Sequence, residues 1–187
     1  MPAQLKVSVG QHSDKGKKAT NQDFHGALTP GEPLLSAKGV CVAIADGISS
    51  SAVSQVASES AVKTFLEDYY CTSEAWSVRT AAERVLSATN SWLYAHSRAS
   101  DLRYDRERGY VCAFSALVIK SRTAHLVHVG DTRIYRLHGT TVEQLTEDHR
   151  LRISDEQSVL SRALGVSEQL EIAYRSVPVE LGSTFVL

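Results

Sequence analysis

The sequence lacks any run of about 18 apolar residues, the length that a membrane-spanning helix needs. Its N-terminus, MPAQLKVSVGQHSDKGKK, also lacks the apolar centre of a secretory signal peptide. These two absences predict a cytoplasmic protein with no membrane span in this chain.

Cysteine is scarce, with three widely separated residues. An odd and scattered set does not favour a disulfide framework or a zinc cluster, and Cys41 and Cys112 lie in apolar stretches that suit small buried side chains. The net charge of -1 gives no general attraction to nucleic acid or to an anionic membrane. We therefore expect a reducing compartment, no nucleic-acid partner and, for any anionic ligand, a small local site.

Proline is also rare, and no repeat, low-complexity tract or flexible linker divides the 187 residues. A hydrophobic content of 43% is enough for one sizeable core. The expectation is one domain over residues 1–187.

Hydrophobic periodicity predicts the order of the elements. Alternation in LKVSVGQ and the apolar run GVCVAIA predict two strands that pair with each other. Apolar spacings of three and four predict amphipathic helices over residues 52–70 and 76–98. After a charged connector, DLRYDRERG, further strands are predicted at YVCAFSALVIK, AHLVHVG, RIYRL and TVEQLT, and the final TFVL reads as the start of another. This order indicates an α+β fold with much antiparallel sheet.

Three aspartates stand where predicted strands meet turns: Asp23 in NQDFHG, Asp46 in AIADGIS and Asp131 in HVGDTR. If these carboxylates converge, they supply the oxygen ligands that Mg²⁺ and Mn²⁺ prefer. Taken singly, each also fits ordinary loop chemistry: a solvated loop around Asp23, an Asx turn or helix cap at Asp46, and a hairpin turn at Asp131. His125 and His128 are expected to be ordinary sheet histidines, and His149 a loop or helix-start residue.

Five motifs together resemble a known family. NQD after a basic residue, AIADG before a Ser/Ala-rich helix, VGDTRIYRL, LTEDH and SRALG follow the order and approximate spacing of the metal-dependent serine/threonine protein phosphatases of the PPM type, also called type 2C-like. The resemblance covers nearly the whole chain. It implies an antiparallel β-sandwich flanked by α-helix layers, a four-layer α-β-β-α fold. It also implies hydrolysis of phosphoserine and phosphothreonine on proteins by a hydroxide that bridges two Mn²⁺ or Mg²⁺ ions.

The resemblance also assigns metal ligands. Asp46 would bridge the two metals, the carbonyl of Gly47 would bind one of them, and Asp23 would hold the other partly through water. Asp131 matches the position of a further, weaker metal site in related bacterial members. Metal ligands are thus expected at four positions of this sequence.

The phosphate-binding position departs from the family pattern. Where family members place an arginine, this chain has Lys18, with Lys17 as a substitute, so Lys18 is the expected catalytic and substrate-binding cation. Lysine neutralises phosphate as a point charge without a bidentate fork, which predicts weaker substrate binding. Ile48 stands where many eukaryotic members have a histidine, and Cys112 and Ala113 stand where many have two threonines.

The family's last two metal-binding aspartates, in a Ser-Asp-Gly and an Asp-Asn, are not reached before Leu187. The expectation is therefore a phosphatase domain that lacks its C-terminal part, with little or no activity from residues 1–187 alone. The motifs also resemble bacterial fusions of a phosphatase to a protein kinase, so the expected partners are phosphorylated proteins and a kinase. The alternative is an inactive pseudophosphatase that binds phosphoproteins or a partner domain, which Lys18 and Ile48 favour and the retained aspartates oppose.

Overall fold

The protein is described here by a computed structural model, which covers residues 5–100, 108–152 and 158–187. Most of the predicted charged connector, residues 101–107, lies outside these ranges. The helices are α1 (Leu34–Lys38), α2 (Ser54–Cys71) and α3 (Val78–Ala99). The strands are β1 (Asp23–Leu28), β2 (Val40–Gly47), β3 (Cys112–Lys120), β4 (Thr123–Val129), β5 (Tyr135–His138), β6 (Thr141–Gln144), β7 (Arg150–Arg152), β8 (Ser158–Leu160), β9 (Ala173–Pro178) and β10 (Thr184–Val186).

In the described ranges the strands form three antiparallel sheets. The largest has five strands in the order β1-β2-β3-β4-β9, a second has the order β10-β5-β6, and β7 pairs with β8. Alternate side chains of a strand point to opposite faces, so the large sheet can bury both faces. Strand β3 is buried along almost its whole length, as a central strand covered on both sides should be.

The two long helices cover one face of the large sheet. Ser77 caps the N-terminus of α3: its hydroxyl accepts a hydrogen bond from the Thr80 amide and so satisfies one of the unpaired N–H groups of the first turn. On α2, Phe65 is fully buried and lies edge-on to Phe114 of β3, with ring centroids 5.2 Å apart. The helices predicted over residues 52–70 and 76–98 are confirmed to within two residues at each end.

A second core lies on the opposite face of the large sheet. Leu117 and Leu126 of that sheet pack with Ile134 beside β5, and Phe185 of β10 joins them. The small β10-β5-β6 sheet is thereby joined to the large one, which gives the expected sandwich. The prediction of an α+β antiparallel fold is confirmed, and in the described ranges the long helices form one layer, against one face.

The prediction of a strand at LKVSVGQ is wrong. Residues 5–11 form no strand; Leu5 and Val7 instead pack against the second core. The expected partner, β2, pairs with β1 on one side and with β3 on the other. Both hydrogen-bonding edges of β2 are taken, so the N-terminal segment has no edge to join there. Its alternating apolar residues Leu5 and Val7 contribute to packing only.

Among the residues that the structure describes, no helix combines the length and the apolar character needed to cross a membrane.

Candidate metal and phosphate site

Asp23 and Asp46 stand directly opposite each other in the antiparallel pair of β1 and β2. Asp23 is the first residue of β1, and Asp46 is the last residue but one of β2, so the two carboxylates meet at one corner of the large sheet. Opposed residues of an antiparallel pair have Cβ atoms only about 4.5–5.5 Å apart. The structure thus brings together two of the predicted metal-binding residues.

The Asp23 carboxylate disturbs the ionisation of Asp46. Desolvation and the hydrogen bond and negative charge of Asp23 raise the pKa of Asp46 to about 7, and the charge of Asp131 acts in the same direction. Asp46 is exposed to solvent, yet the walls of the surrounding cavity exclude part of its hydration. Like charges placed this close disfavour the ionised form unless a cation lies between them. The donor set therefore fits a hard divalent cation, which prefers carboxylate oxygens.

Gly47 allows the start of α2 to approach this corner. A Cβ atom at position 47 would lie 2.7 Å from the backbone oxygen of Ser54, closer than real Cβ contacts come. The Asp46-Gly47 sequence is therefore more than a flexible turn, because the glycine lets a helix pack directly behind the carboxylate. Whether the Gly47 carbonyl binds a metal stays a prediction.

Gln22 holds this corner in place, a role that sequence reasoning missed. Its side-chain amide donates to the Ser51 carbonyl at 2.8 Å and to the Ser54 hydroxyl at 2.7 Å. Its backbone carbonyl accepts from the Gly47 amide at 3.0 Å and from the Ser58 hydroxyl at 2.6 Å. The residue before Asp23 is thus tied to the residue after Asp46 and to the first turns of α2. The NQD motif contains Gln22, but nothing in the sequence showed what its amide binds.

Lys18 lies near the paired carboxylates. Its positive charge lowers the pKa of Asp46, against the larger effects that raise it. Lys18 and Lys17 are both exposed in the loop before β1, and the Lys18 amide donates to the Lys15 carbonyl. The structure thus puts the charge of Lys18 within electrostatic reach of the candidate site. Its role in binding phosphate stays a prediction.

Asp131 lies outside the pair of carboxylates. Its side chain, 18% exposed, is held by Arg150, whose Nη2 atom lies 2.6 Å from Oδ2. Within the three described ranges, no three His, Cys, Asp or Glu side chains form a group able to hold a metal ion. The predicted convergence of three aspartates is therefore seen as one close pair with a third carboxylate nearby.

The turn that carries Asp131 is fastened to the loop before β7. The His149 amide donates to the Gly130 carbonyl at 2.7 Å, and the Gly130 amide donates to Nδ1 of His149 at 3.1 Å. Gly130 has a φ of 110°, which favours glycine, and an added Cβ would overlap Ala113. His149 is a loop residue, as expected. The LTEDH motif therefore supports the VGD turn through a direct contact.

His128 is a buried member of β4. Its Nδ1 lies 2.9 Å from the Ser115 hydroxyl and its Nε2 lies 3.0 Å from the Glu147 carbonyl, and burial lowers its pKa. Because both ring nitrogens have protein partners, His128 acts as a structural link between β3, β4 and the loop before β7. The prediction of an ordinary sheet histidine is confirmed for this residue.

A cavity of about 650 Å³ opens beside the paired carboxylates. Its lining includes Asp23 and Asp46, the N-terminal segment around Ser13, and the end of the chain around Phe185. The volume falls within the range of small-molecule and side-chain binding sites. An anionic group that enters the cavity can reach the candidate metal position.

The antiparallel sandwich and the two opposed carboxylates at its corner fit a protein that binds divalent cations. The chain belongs to the protein phosphatase 2C family, whose model matches residues 11–187. This membership confirms the resemblance on which the site assignments rest.

The relatives agree with this assignment. The serine/threonine phosphatase stp of Listeria welshimeri is 29% identical over 167 residues, which cover 78% of this chain and 64% of that protein. The chain thus spans less than two thirds of that relative's length. The S. agalactiae serine/threonine phosphatase has a similar fold, with a TM-score of 0.73 at 20% identity over 95% of this chain and 74% of that one. The catalytic domain of the serine/threonine protein phosphatase PstP, in complex with two manganese ions, is similar with a TM-score of 0.66 at 21% identity, over 90% of this chain and 70% of that one.

Proposed function

We propose that this chain belongs to a serine/threonine protein phosphatase that depends on Mn²⁺ or Mg²⁺. The observation that carries the proposal is the direct opposition of Asp23 and Asp46 at the corner of the sheet. Membership of the protein phosphatase 2C family supports it. The manganese-bound PstP neighbour supports the choice of metal.

Divalent cations, when bound, supply the charge that activates water and neutralises phosphoryl oxygens. The protein's own residues prepare the site. Asp46 and Asp23 present oxygens to the cations. Gln22, the residue before Asp23, is bonded to Gly47 and to the start of α2 and so helps to hold both carboxylates in place. Lys18 attracts the phosphate of the substrate and holds it as a point charge. Asp131 adds a negative charge at the edge of the site, where a further, weaker cation is proposed.

The proposed substrates are proteins phosphorylated on serine or threonine, with a protein kinase as the counterpart that makes them. We also propose a reducing cytoplasmic setting. Cys41, Cys71 and Cys112 are free thiols, and burial raises the pKa of Cys41 and Cys112 above the usual range. Buried thiols of raised pKa are poor nucleophiles, so they act as core side chains and take no part in the proposed reaction.

A pseudophosphatase that binds phosphoproteins is the second candidate. The observation in its favour is that the described residues supply only two closely paired carboxylates. The direct opposition of Asp23 and Asp46 argues against it, because two carboxylates held side by side are well placed to bind a shared cation.

The experiment is a manganese titration followed by a hydrolysis assay on a phosphothreonine peptide. The expected result is weak Mn²⁺ binding with at most slow, Mn²⁺-dependent phosphate release, since two carboxylates bind cations weakly. Asp46→Asn should abolish both, whereas Asp68→Asn, at an exposed position of α2, should change neither. Peptide binding without Mn²⁺ binding or phosphate release would favour the pseudophosphatase. Absence of all three would refute both candidates.

A further inference from the structure

Arg150, the first residue of β7, forms an ion pair with Asp131. Its Nε and Nη2 atoms both contact Oδ2 of Asp131, at 2.8 and 2.6 Å. The Arg150 side chain is 45% exposed and that of Asp131 is 18% exposed. The guanidinium therefore lies against the carboxylate from the solvent side and shields it.

The backbone holds this ion pair in place. The residues just before the two partners, Gly130 and His149, exchange two hydrogen bonds, from the His149 amide to the Gly130 carbonyl and from the Gly130 amide to the His149 ring. Most exposed ion pairs are weak because two long side chains must be ordered to form them. Here the strand ends are already fastened side by side, so less conformational freedom is lost when Arg150 contacts Asp131.

The ion pair also lies within the field of the candidate metal site. The charge of Asp131 acts on Asp46, so the carboxylate that Arg150 neutralises belongs to the same electrostatic group. A carboxylate oxygen that accepts two N–H groups of a guanidinium is poorly placed to bind a hard cation as well, because the two positive charges would repel each other at contact distance.

We propose that Arg150 is a built-in counter-ion that competes with a divalent cation for Asp131, so that a cation binds there only when the guanidinium is released. The inference rests on the proposed function, which gives Asp131 a cation to bind. Arg150 begins β7, which pairs with β8. Occupancy of Asp131 is thereby linked to the position of the β7-β8 ribbon, and the Asp131 cation exchanges more readily than those at Asp23 and Asp46.

The test is a Mn²⁺ titration of the chain, with free Mn²⁺ followed by electron paramagnetic resonance. The unmodified chain should show a weakest class of bound Mn²⁺ that is absent from Asp131→Asn. Arg150→Gln should tighten that class about two- to fivefold, the range of an exposed ion pair. In an Asp131→Asn background, Arg150→Gln should have no effect. Arg133→Gln is the matched control, because Arg133 lies two residues from Asp131 but its guanidinium pairs with Asp148, and it should leave the weak class unchanged.

Three outcomes would overturn the inference: no change in Arg150→Gln, equal tightening in Arg133→Gln, or tightening that persists in the Asp131→Asn background. Absence of Mn²⁺ binding that depends on Asp131 would overturn it as well. The proposed function fails separately, if Asp46→Asn leaves Mn²⁺ binding and phosphate release unaltered.

Discussion

The side-chain amide of Gln22 donates to the hydroxyl of Ser54 at 2.7 Å, although the two residues are 32 positions apart. Gln22 precedes the first strand of the large sheet and Ser54 begins α2. This buried contact joins the sheet to the helix behind the paired carboxylates. The site therefore depends on a polar link inside the protein as well as on the residues that face the cavity.

Gln22→Ala should destabilise the chain by about 1–3 kcal/mol, because the Ser54 hydroxyl and the Ser51 carbonyl would each lose a buried partner. Chemical denaturation followed by circular dichroism measures the loss. Gln55→Ala is the control, since Gln55 is an exposed residue of α2, the helix that contains Ser54. Equal stabilities of the two variants would show that the amide of Gln22 contributes little.

Gly47→Ala should cost about 1–3 kcal/mol of stability through overpacking, since the new methyl group would meet the backbone of Ser54. It should also weaken Mn²⁺ binding, because relief of the clash moves Asp46 away from α2. Thermal unfolding and Mn²⁺ titration give the two values. At Gly10, an added Cβ meets nothing within 4 Å, so Gly10→Ala should leave stability nearly unchanged. A well-folded Gly47→Ala with unaltered Mn²⁺ affinity would contradict the packing argument.

The stability of the metal-free chain should depend on the ionisation of Asp46. Its folded pKa of about 7 lies above the ordinary value of about 3.9, so ionisation destabilises the folded state. Wild type and Asp46→Asn should be equally stable below about pH 4. Wild type should then lose stability relative to the variant up to pH 7, by about 1–2 kcal/mol after allowance for solvent screening.

Urea denaturation in EDTA between pH 4 and 8 measures this difference. Asp68→Asn serves as the control and should show no such pH dependence relative to wild type. A constant difference between wild type and Asp46→Asn across this range would mean that the Asp46 pKa is not raised.

Lys18→Ala should weaken the binding of a phosphothreonine peptide about tenfold, with a smaller effect on turnover, because the ammonium acts on the phosphate as a point charge. Lys18→Arg should bind the peptide as tightly as wild type or more tightly, through a bidentate contact with the phosphate. Lys17→Ala tests the substitute position in the same exposed loop and should have a smaller effect. Titration calorimetry in the presence of Mn²⁺ compares the three variants. An equal loss in Lys17→Ala would indicate that the loop attracts phosphate by net charge alone.

Elements with strong periodicity could be predicted from the sequence. The two long helices and strands β2 to β6 can be predicted from apolar spacing and apolar runs, and the structure has them at those positions. The N-terminal segment misled the same reasoning, since alternation reports burial of every second residue and not hydrogen bonding to a neighbour. Strand β9 was missed because AYRSVP has little apolar character. It lies at the edge of the large sheet, where a strand needs fewer apolar side chains than at the centre.

The site was predictable in its carboxylates but not in its supports. Asp23, Asp46 and Asp131 were found because strand ends, glycines and a family pattern mark them. The contacts of Gln22 and the Arg150–Asp131 ion pair depend on which loops meet in space, over sequence separations of 19 residues or more. The spacing of residues along the sequence does not predict contacts between such distant loops.

The links at the corner of the large sheet have a consequence for how the protein is made. Gln22, Asp23, Asp46, Gly47 and the first turns of α2 belong to one continuous part of the chain, so their contacts need no residue beyond Ser58. These contacts span at most 36 residues, and a shorter loop closes with a smaller loss of chain entropy than a longer one. During synthesis from the N-terminus, this corner can assemble while the central strand β3 is still inside the ribosome, and the rest of the sandwich can then build on it.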